Sequence, residues 1–318
     1  MSTLRILVTH GWLRGNLGDF LITYELLKNL RELVPGLEIC LMSIPGIKKI
    51  KERRLALDLL DDFIEGDSQD CRPDFFKNFH MIINAPGGGL QDPGDKRAPA
   101  ILRDAQVCAE NGLRHAMGSH SFHPAFDLDP LRHSLVIARE PRSGNLLKGL
   151  SIPHVESADL SFLHDYASYP DKGPSHKDLL FLRFDLVRKV EFHENSLIID
   201  GQAMPCRRET LVLTSSDEER DYPKLKMIQK KFNLPYVQCE TLGDLMTLIR
   251  SSETVISDRY HPIIFAKAYQ KPFRFLLRPG SLRDQGLLDL FSGHSFNQIQ
   301  ALAKAGVSAL ADGLLKNT

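Results

Sequence analysis

Strand-length apolar runs alternate with amphipathic segments along almost the whole chain, and this rhythm constrains the fold more than any single motif. Residues Arg5–Thr9, Glu38–Met42, Met81–Asn84, Arg114–Gly118, Leu135–Ala138 and His154–Val155 read as strands. Between them Phe20–Leu33, Ile47–Leu60, Ala98–Asn111 and Arg142–Leu147 read as helices. Strands that are apolar on both faces must be covered on both faces, so the pattern predicts a parallel sheet between two helical layers. The polar stretch from Asp165 to Lys177, with Tyr169-Pro170-Asp171-Lys172-Gly173-Pro174, breaks the series and reads as a linker.

After the linker the alternation restarts. Strands are expected at Leu179–Arg183, Leu211–Thr214, Tyr236–Gln238, Thr254–Ile256 and Arg274–Leu277. Their helices are Tyr222–Phe232, Leu242–Arg250, Pro262–Tyr269, Leu282–Leu290 and a long last one over Ile299–Leu315. The chain therefore reads as two doubly wound, Rossmann-like α/β domains facing a cleft, residues 1–168 and 169–318, the second ending in the long helix. At 318 residues with 42% hydrophobic side chains, each half is large enough to bury a core. Lys189–Gln202 does not fit the alternation and is expected as a loop or hairpin near the cleft.

Charge and cysteine usage narrow the function. With 40 basic and 40 acidic residues the formal net charge is zero, which argues against nucleic acid or an anionic membrane surface as the main partner. The N-terminal apolar run is too short for a signal peptide, and no window approaches the roughly 18 apolar residues of a membrane span. A cytoplasmic protein, not integral to a membrane, is expected. The five cysteines are odd in number and scattered, without a C-x-x-C, which suits free thiols better than disulfides or a zinc site. His115, His120 and His123 lack a carboxylate at metal-ligand spacing, so no metal is expected.

Three loops at strand ends carry the chemistry. Ser257-Asp258-Arg259-Tyr260-His261 follows a β-branched run and precedes a helix with proline in its first turn. A helix N-terminus favours anions, so Arg259 and His261 there point to a phosphate or carboxylate ligand. The alternative is an Arg259 ion pair and a His261 that only caps or packs. The first loop, Gly11-Trp12-Leu13-Arg14-Gly15-Asn16-Leu17-Gly18-Asp19, lacks the spacing of a dinucleotide fingerprint. Its Gly15 and Gly18 permit close approach of a ligand, and Asp19 reads as a helix cap, a functional acid, or both. Trp12 suits either stacking on a sugar or packing. The third loop, Asn84-Ala85-Pro86-Gly87-Gly88-Gly89-Leu90-Gln91-Asp92, is expected to expose backbone amides through its glycine triplet.

In these loops the sequence resembles the polysaccharide pyruvyl transferase family. The resemblance rests on Gly15-Asn16-Leu17-Gly18-Asp19, Gly87-Gly88-Gly89-Leu90-Gln91-Asp92 and Arg259-Tyr260-His261, with Ala138-Arg139-Glu140-Pro141-Arg142-Ser143 and Ala158-Asp159-Leu160-Ser161-Phe162 between them. Tyr260 departs from the small aliphatic residue more usual there, and Phe122-His123-Pro124 from a Gly-Pro-like loop. The resemblance implies the two-domain GT-B architecture and transfer of a pyruvyl group from phosphoenolpyruvate to a sugar as a ketal. No cofactor is implied beyond phosphoenolpyruvate as co-substrate. The partner implied is a saccharide acceptor of a cell-surface polysaccharide precursor, either free or lipid-linked.

The resemblance also implies roles for individual residues. Arg259, Tyr260 and Arg183 form the donor side on the second domain, because a guanidinium binds phosphate or carboxylate through two parallel hydrogen bonds. For Arg183 an ion pair with Asp185 is the alternative. His261 serves as the proton donor or relay, since imidazole titrates near neutrality, and Asp19 as the base for a sugar hydroxyl. Gly15, Asn16, Gly18, Gly87, Gly88, Gly89 and Arg139 are expected in cleft loops on the acceptor side. Two other functions fit the same features: a glycosyltransferase with a nucleotide-sugar donor, and a non-catalytic sugar- or phosphate-binding subunit of a polysaccharide assembly.

Overall fold

The fold is that of a computed structural model, which describes residues 3–43, 51–173, 175, 177–183, 185–186, 188–193 and 195–316. The first domain is built on β1 (Arg5–Thr9), α1 (Leu17–Leu33), β2 (Glu38–Ser43), α2 (Arg53–Leu57), β3 (Asp62–Glu65), α3 (Pro73–Phe76) and β4 (Met81–Asn84). It continues through β5 (Gly87–Leu90), α4 (Ala98–Glu110), β6 (His115–Phe122), β7 (Leu135–Ala138), α5 (Pro141–Gly149) and β8 (His154–Glu156). The strands run parallel in the order β3-β2-β1-β4-β6-β7-β8, with β5 paired beside the far half of β6. The expected helix from Ile47 is observed only as α2; its start lies outside the described residues.

The second domain holds β9 (Asp178–Phe181), β10 (Val190–His193), β11 (Ser196–Ile199), β12 (Gln202–Pro205), β13 (Leu211–Thr214), α6 (Glu218–Phe232), β14 (Tyr236–Val237) and α7 (Leu242–Ser251). β15 (Thr254–Ser257), α8 (Tyr260–Ala268), β16 (Phe273–Phe275), α9 (Leu282–Gly293) and α10 (Phe296–Leu315) follow. Its parallel sheet has the order β14-β13-β9-β15-β16. The segment that broke the alternation is a separate antiparallel meander, β10-β11-β12, which sends Val190, Leu197, Ile199 and Met204 into the core of this domain.

Both sheets reverse strand order at one point, β1/β4 in the first and β9/β15 in the second. Loops leaving adjacent strands at such a point diverge to opposite faces of the sheet and leave a crevice at the strand C-termini. The chain following β1, β4, β9 and β15 carries the candidate residues, so topology alone brings Asp19, Gly88, Arg183 and His261 towards one place.

Two elements depart from the sequence reading. The glycine triplet is not an open loop: Gly87–Leu90 forms β5, paired in parallel with β6 from Gly87 opposite His120 to Leu90 opposite Phe122. A Cβ at Gly89 would stand 2.4 Å from Ile101 Cδ1, so close packing on α4 requires glycine there. The long C-terminal helix α10 follows the second domain in sequence but packs on α1, β6 and β8. Gly306 lets it approach, since a Cβ there would lie 2.2 Å from Ser157 Oγ. The expected boundary at residue 168 therefore separates α10 from the sheet it covers. One hydrophobic cluster runs through both halves, including Phe20 and Leu21 of α1, Ile263 and Phe265 of α8, and Val307 of α10.

Candidate active site

The first wall of the site is the start of α1. Asn16 caps this helix, its Oδ1 accepting from the amides of Gly18 (3.0 Å) and Asp19 (3.4 Å). Asp19 is thus relieved of the capping role that the sequence allowed it. Its carboxylate instead accepts from Asn16 Nδ2 at 2.8 Å and faces the cleft. The same loop touches the second domain, because Leu17 N donates to Ser216 O at 2.8 Å.

The opposite wall is the β15–α8 junction. Arg259 is the N-cap residue of α8, a position where its backbone amide donates to Ser257 Oγ at 2.8 Å. Its guanidinium is buried and forked onto Asp221, with Nε at 2.9 Å from Oδ2 and Nη2 bonded to Oδ1, while Nη2 also reaches Asp217 at 3.3 Å. Burial alone would lower the Arg259 pKa, but Asp221 and Asp217 outweigh it and hold the group well above its ordinary value. Asp217 is pushed up to about 6 by burial, against the pull of Arg259 and with a push from Asp221. Arg183 is likewise forked onto Asp185, the ion pair that was the alternative reading.

Between the walls stands Tyr260. The Arg139 guanidinium lies over its ring at 4.8 Å from the centroid, and that of Arg283, from the first turn of α9, at 4.6 Å. Arg139 is bound through Nε and Nη2 to Ser121 Oγ and through Nη1 to Asp159 at 3.2 Å. Arg283 shares the single carboxylate of Asp284 with Arg278. Burial lowers the Arg283 pKa to about 10, Arg278, Arg139 and Arg183 add to the depression, and Asp284 opposes it. Arg139 is offset by Asp159 and Glu140, whereas the charge of Arg283 is only partly offset by the carboxylate it shares, which is an electrostatic condition for holding an anion.

His261 completes the arrangement. Its Nδ1 is 3.9 Å from Asp19 Oδ1 and its Nε2 is 3.7 Å from Asp159 Oδ2, so the ring lies between carboxylates of the first domain. Burial would raise the Asp159 pKa, but His261, Arg139 and the Ser161 hydroxyl hold it well below the usual carboxylate range. His261 Nε2 is buried without a hydrogen-bond partner. That nitrogen faces the buried Asp159 carboxylate, while Nδ1 is turned towards Asp19.

These groups line a cavity of about 250 Å³ that contains Asn16, Asp19, Gly88, Arg139, Arg183, Arg259, Tyr260 and His261 from the sequence reading. Gly15, Gly18, Gly87 and Gly89 are not among its lining residues. Gly15 supplies a positive φ of 53° to the turn before α1, and Gly18 packs beneath His261. His115 and His120 lie beneath the sheet surface, where burial pushes them down to about 4 and about 3, and they hydrogen-bond to Ser134 and Asn84 and to the Gly118 carbonyl.

The family model for polysaccharide pyruvyl transferases matches residues 16–278. The chain belongs to this family. None of the curated proteins compared with it matches its sequence. Among solved structures it is similar to the UDP-GlcNAc 2-epimerase of Neisseria meningitidis bound to UDP-GlcNAc, with a TM-score of 0.54 at 11% identity over 99% of this chain and 100% of that one. A glycosyltransferase from Rickettsia africae gives a TM-score of 0.51 at 14% identity over 100% of both chains. Anabaena HepE in complex with UDP-glucose gives 0.53 at 11% identity over 98% of this chain and 95% of that one. The fold of this family member is accordingly GT-B-like, as two doubly wound sheets facing a cleft require. Among the described residues no helix is long and apolar enough to cross a membrane.

The sequence reading of this family member missed Arg97, Arg220 and Arg283, which also line the cavity, and the anchors Asp217, Asp221 and Asp284. A signal for the arginines was present. Arg97 is the N-cap residue of α4, and Arg220 and Arg283 stand in the first turns of α6 and α9. A cation at a helix N-terminus opposes the helix dipole, and Asp95 beside Arg97 and Asp284 beside Arg283 offset that cost.

Proposed function

We propose that this chain transfers a pyruvyl group from phosphoenolpyruvate to two hydroxyls of a sugar in a cell-surface polysaccharide precursor, forming a cyclic ketal and releasing inorganic phosphate. The observation that carries this reading is His261, which lines an arginine-rich cavity with its Nδ1 3.9 Å from Asp19 and its Nε2 3.7 Å from Asp159. Membership of the family supports the transferase role.

The reaction needs a proton at the enol methylene and a positive charge that develops at the ketal carbon. One hydroxyl then adds to that carbon and loses its proton, the bond to the phosphate oxygen breaks, and the second hydroxyl closes the ketal while its proton leaves with phosphate. His261 donates to the methylene. Asp19, 3.9 Å from the imidazole, takes the proton of the first hydroxyl and keeps the pair neutral as charge moves. Arg283, whose charge is the less neutralised of the two guanidiniums over Tyr260, holds the donor phosphate, with Arg139 on the same ring beside it. The Arg259 fork, expected at the donor, is occupied by Asp221, so its role is to fix the start of α8 and hence His261. We place the reaction in the cytoplasm, where phosphoenolpyruvate is made, with no cofactor.

The test is a melting screen followed by turnover. Phosphoenolpyruvate should raise the melting temperature more than UDP- or GDP-sugars at equal concentration, since a ligand that binds the native state alone stabilises it. Phosphate release should then depend on a saccharide acceptor. A larger shift with nucleotide sugars would sink the proposal in favour of glycosyl transfer.

A further inference from the structure

The two carboxylates that flank His261 are held differently. Asp159 is buried and fixed at both oxygens: Oδ1 accepts from the Ser161 amide at 2.9 Å and the Ser161 hydroxyl at 2.5 Å, and Oδ2 accepts from Arg139 Nη1 at 3.2 Å. Asp19 is partly exposed and lines the cavity. The imidazole between them is held in place, with Gly18 against its Nδ1 side and the Phe265 ring stacked on it at 6.2 Å between centroids.

At 3.7 Å, Asp159 Oδ2 and His261 Nε2 are too far apart for a full hydrogen bond, yet no other polar group among the described residues is bonded to that nitrogen. A buried lone pair facing a buried carboxylate is repelled, whereas a buried N–H is attracted. The proton therefore belongs on Nε2. The neutral ring then carries its lone pair on Nδ1, towards Asp19.

We propose that Asp159 is a positioning residue that fixes a proton on His261 Nε2, so that Nδ1 is the nitrogen through which His261 exchanges protons with the substrate. The inference rests on the pyruvyl-transfer reading for the substrate, but not for the tautomer. In that reaction the enol π pair takes the Nδ1 proton of the imidazolium onto the methylene carbon, and the electron pair of the broken N–H bond stays on Nδ1. Nε2 keeps its proton, facing Asp159. Asp19 then holds the proton of the first hydroxyl, and passing it to Nδ1, 3.9 Å away, restores the imidazolium for the next turnover. Asp159 takes no proton itself, since, against the effect of burial, His261, Arg139 and the Ser161 hydroxyl keep it ionised. The same carboxylate also caps the turn at Leu160–Leu163 and offsets Arg139, and both roles are separable from one exerted through His261.

The first experiment needs no substrate. Nitrogen-15 spectra of the full chain, with the His261 signals assigned by their absence from His261→Asn, should show a protonated Nε2 and an unprotonated Nδ1 at a pH where the ring is neutral. Asp159→Asn should abolish that preference. A proton on Nδ1 in the wild type, an even mixture of tautomers there, or an unchanged preference in the variant would overturn the proposal.

The second experiment separates kcat from KM. Asp159→Asn keeps an oxygen to accept from the Ser161 amide, while Arg139 keeps its charge with one partner fewer. Phosphoenolpyruvate should then bind at least as well, whereas kcat should fall at least tenfold. A raised KM at unchanged kcat would mean that the carboxylate acts through Arg139, which overturns the proposal. In a His261→Asn background the same substitution should change kcat by less than about twofold, because a residue that acts through the imidazole has nothing left to act on. A further tenfold loss there contradicts the assignment. Should a melting curve show that Asp159→Asn does not fold, Ser161→Ala takes its place: it keeps the charge but frees Oδ1 of its hydroxyl donor, so kcat should fall at least threefold at unchanged KM, and an unchanged kcat would overturn the proposal. If no acceptor supports phosphate release, the pyruvyl-transfer reading fails while the nitrogen-15 spectra still decide the tautomer.

Discussion

Gly18 and the His261 imidazole are packed so closely that a Cβ on Gly18 would stand 2.2 Å from Nδ1 and 2.3 Å from Cγ. The first turn of α1 is thus the surface on which the second domain's histidine rests. No other residue type leaves room for the ring, which is why this glycine borders the site without lining the cavity.

Gly18→Ala should therefore displace His261 rather than merely loosen the fold. We expect turnover to fall at least tenfold, with a stability loss of about 1–3 kcal/mol typical of overpacking. Phosphate release and the melting temperature of one preparation measure both. Near-normal turnover would mean that the ring position does not matter to the reaction.

His261→Asn should lower turnover by roughly 10²-fold or more while donor binding persists, because Asn can hydrogen-bond but cannot donate a proton to carbon near neutrality. A residue that only packs would show the reverse, a lower melting temperature with an unchanged rate per folded molecule. Isothermal titration with phosphoenolpyruvate beside the kinetic assay separates the two.

Asp221→Asn removes the main partner of the Arg259 fork. Breaking one side of a buried ion pair typically costs about 3–5 kcal/mol, so the unliganded variant should melt well below the wild type. Arg259→Lys should also destabilise, since an ammonium cannot reproduce the fork. Equal melting temperatures for the wild type and both variants would remove Arg259 from its anchoring role.

Arg283→Gln is expected to separate stability from function. Burial and like charges already depress this guanidinium to about 10, so its loss should leave the melting temperature equal or higher. Phosphoenolpyruvate affinity should fall at least tenfold. Retained affinity, measured by titration calorimetry, would exclude Arg283 from the donor site.

His115 gives a pH signature. Burial holds it at about 4 in the folded chain against an ordinary 6.5, so the unfolded chain binds a proton that the native one refuses. Its contribution is complete above about 6.5 and is lost towards about 4, by up to about 1.4 kcal/mol per pH unit. His120, depressed further, acts in the same direction, whereas the raised Asp217 opposes both below about 6. Those contributions are shared by His115→Gln and cancel in the comparison. Denaturant midpoints at pH 7 and pH 5 should drop more for wild type than for the variant, and parallel drops would contradict the assignment.

Local apolar pattern was enough to locate most elements and the strand ends that border the cleft. β1, β4, β7 and β13 have the boundaries that their apolar runs predict, because a strand covered on both faces must be apolar at consecutive positions. The Arg259 to His261 turn was legible as a strand-to-helix junction at the cleft, although its guanidinium is forked onto Asp221, the ion pair that was the alternative reading. The partners of these side chains come from long-range packing. β6 runs on to Phe122 through Ser119, His120 and Ser121, which read as loop but are satisfied by the Ala158 carbonyl, the Gly118 carbonyl and Glu140. β5 is a strand despite its glycines because β6 offers an unpaired edge beside it. Asp221 lies 38 positions before Arg259, and α10 closes on a sheet whose last strand ends at Glu156. Local pattern records which face of a segment is apolar, but the free energy of a buried charge or a close-packed glycine depends on atoms brought from elsewhere in the chain.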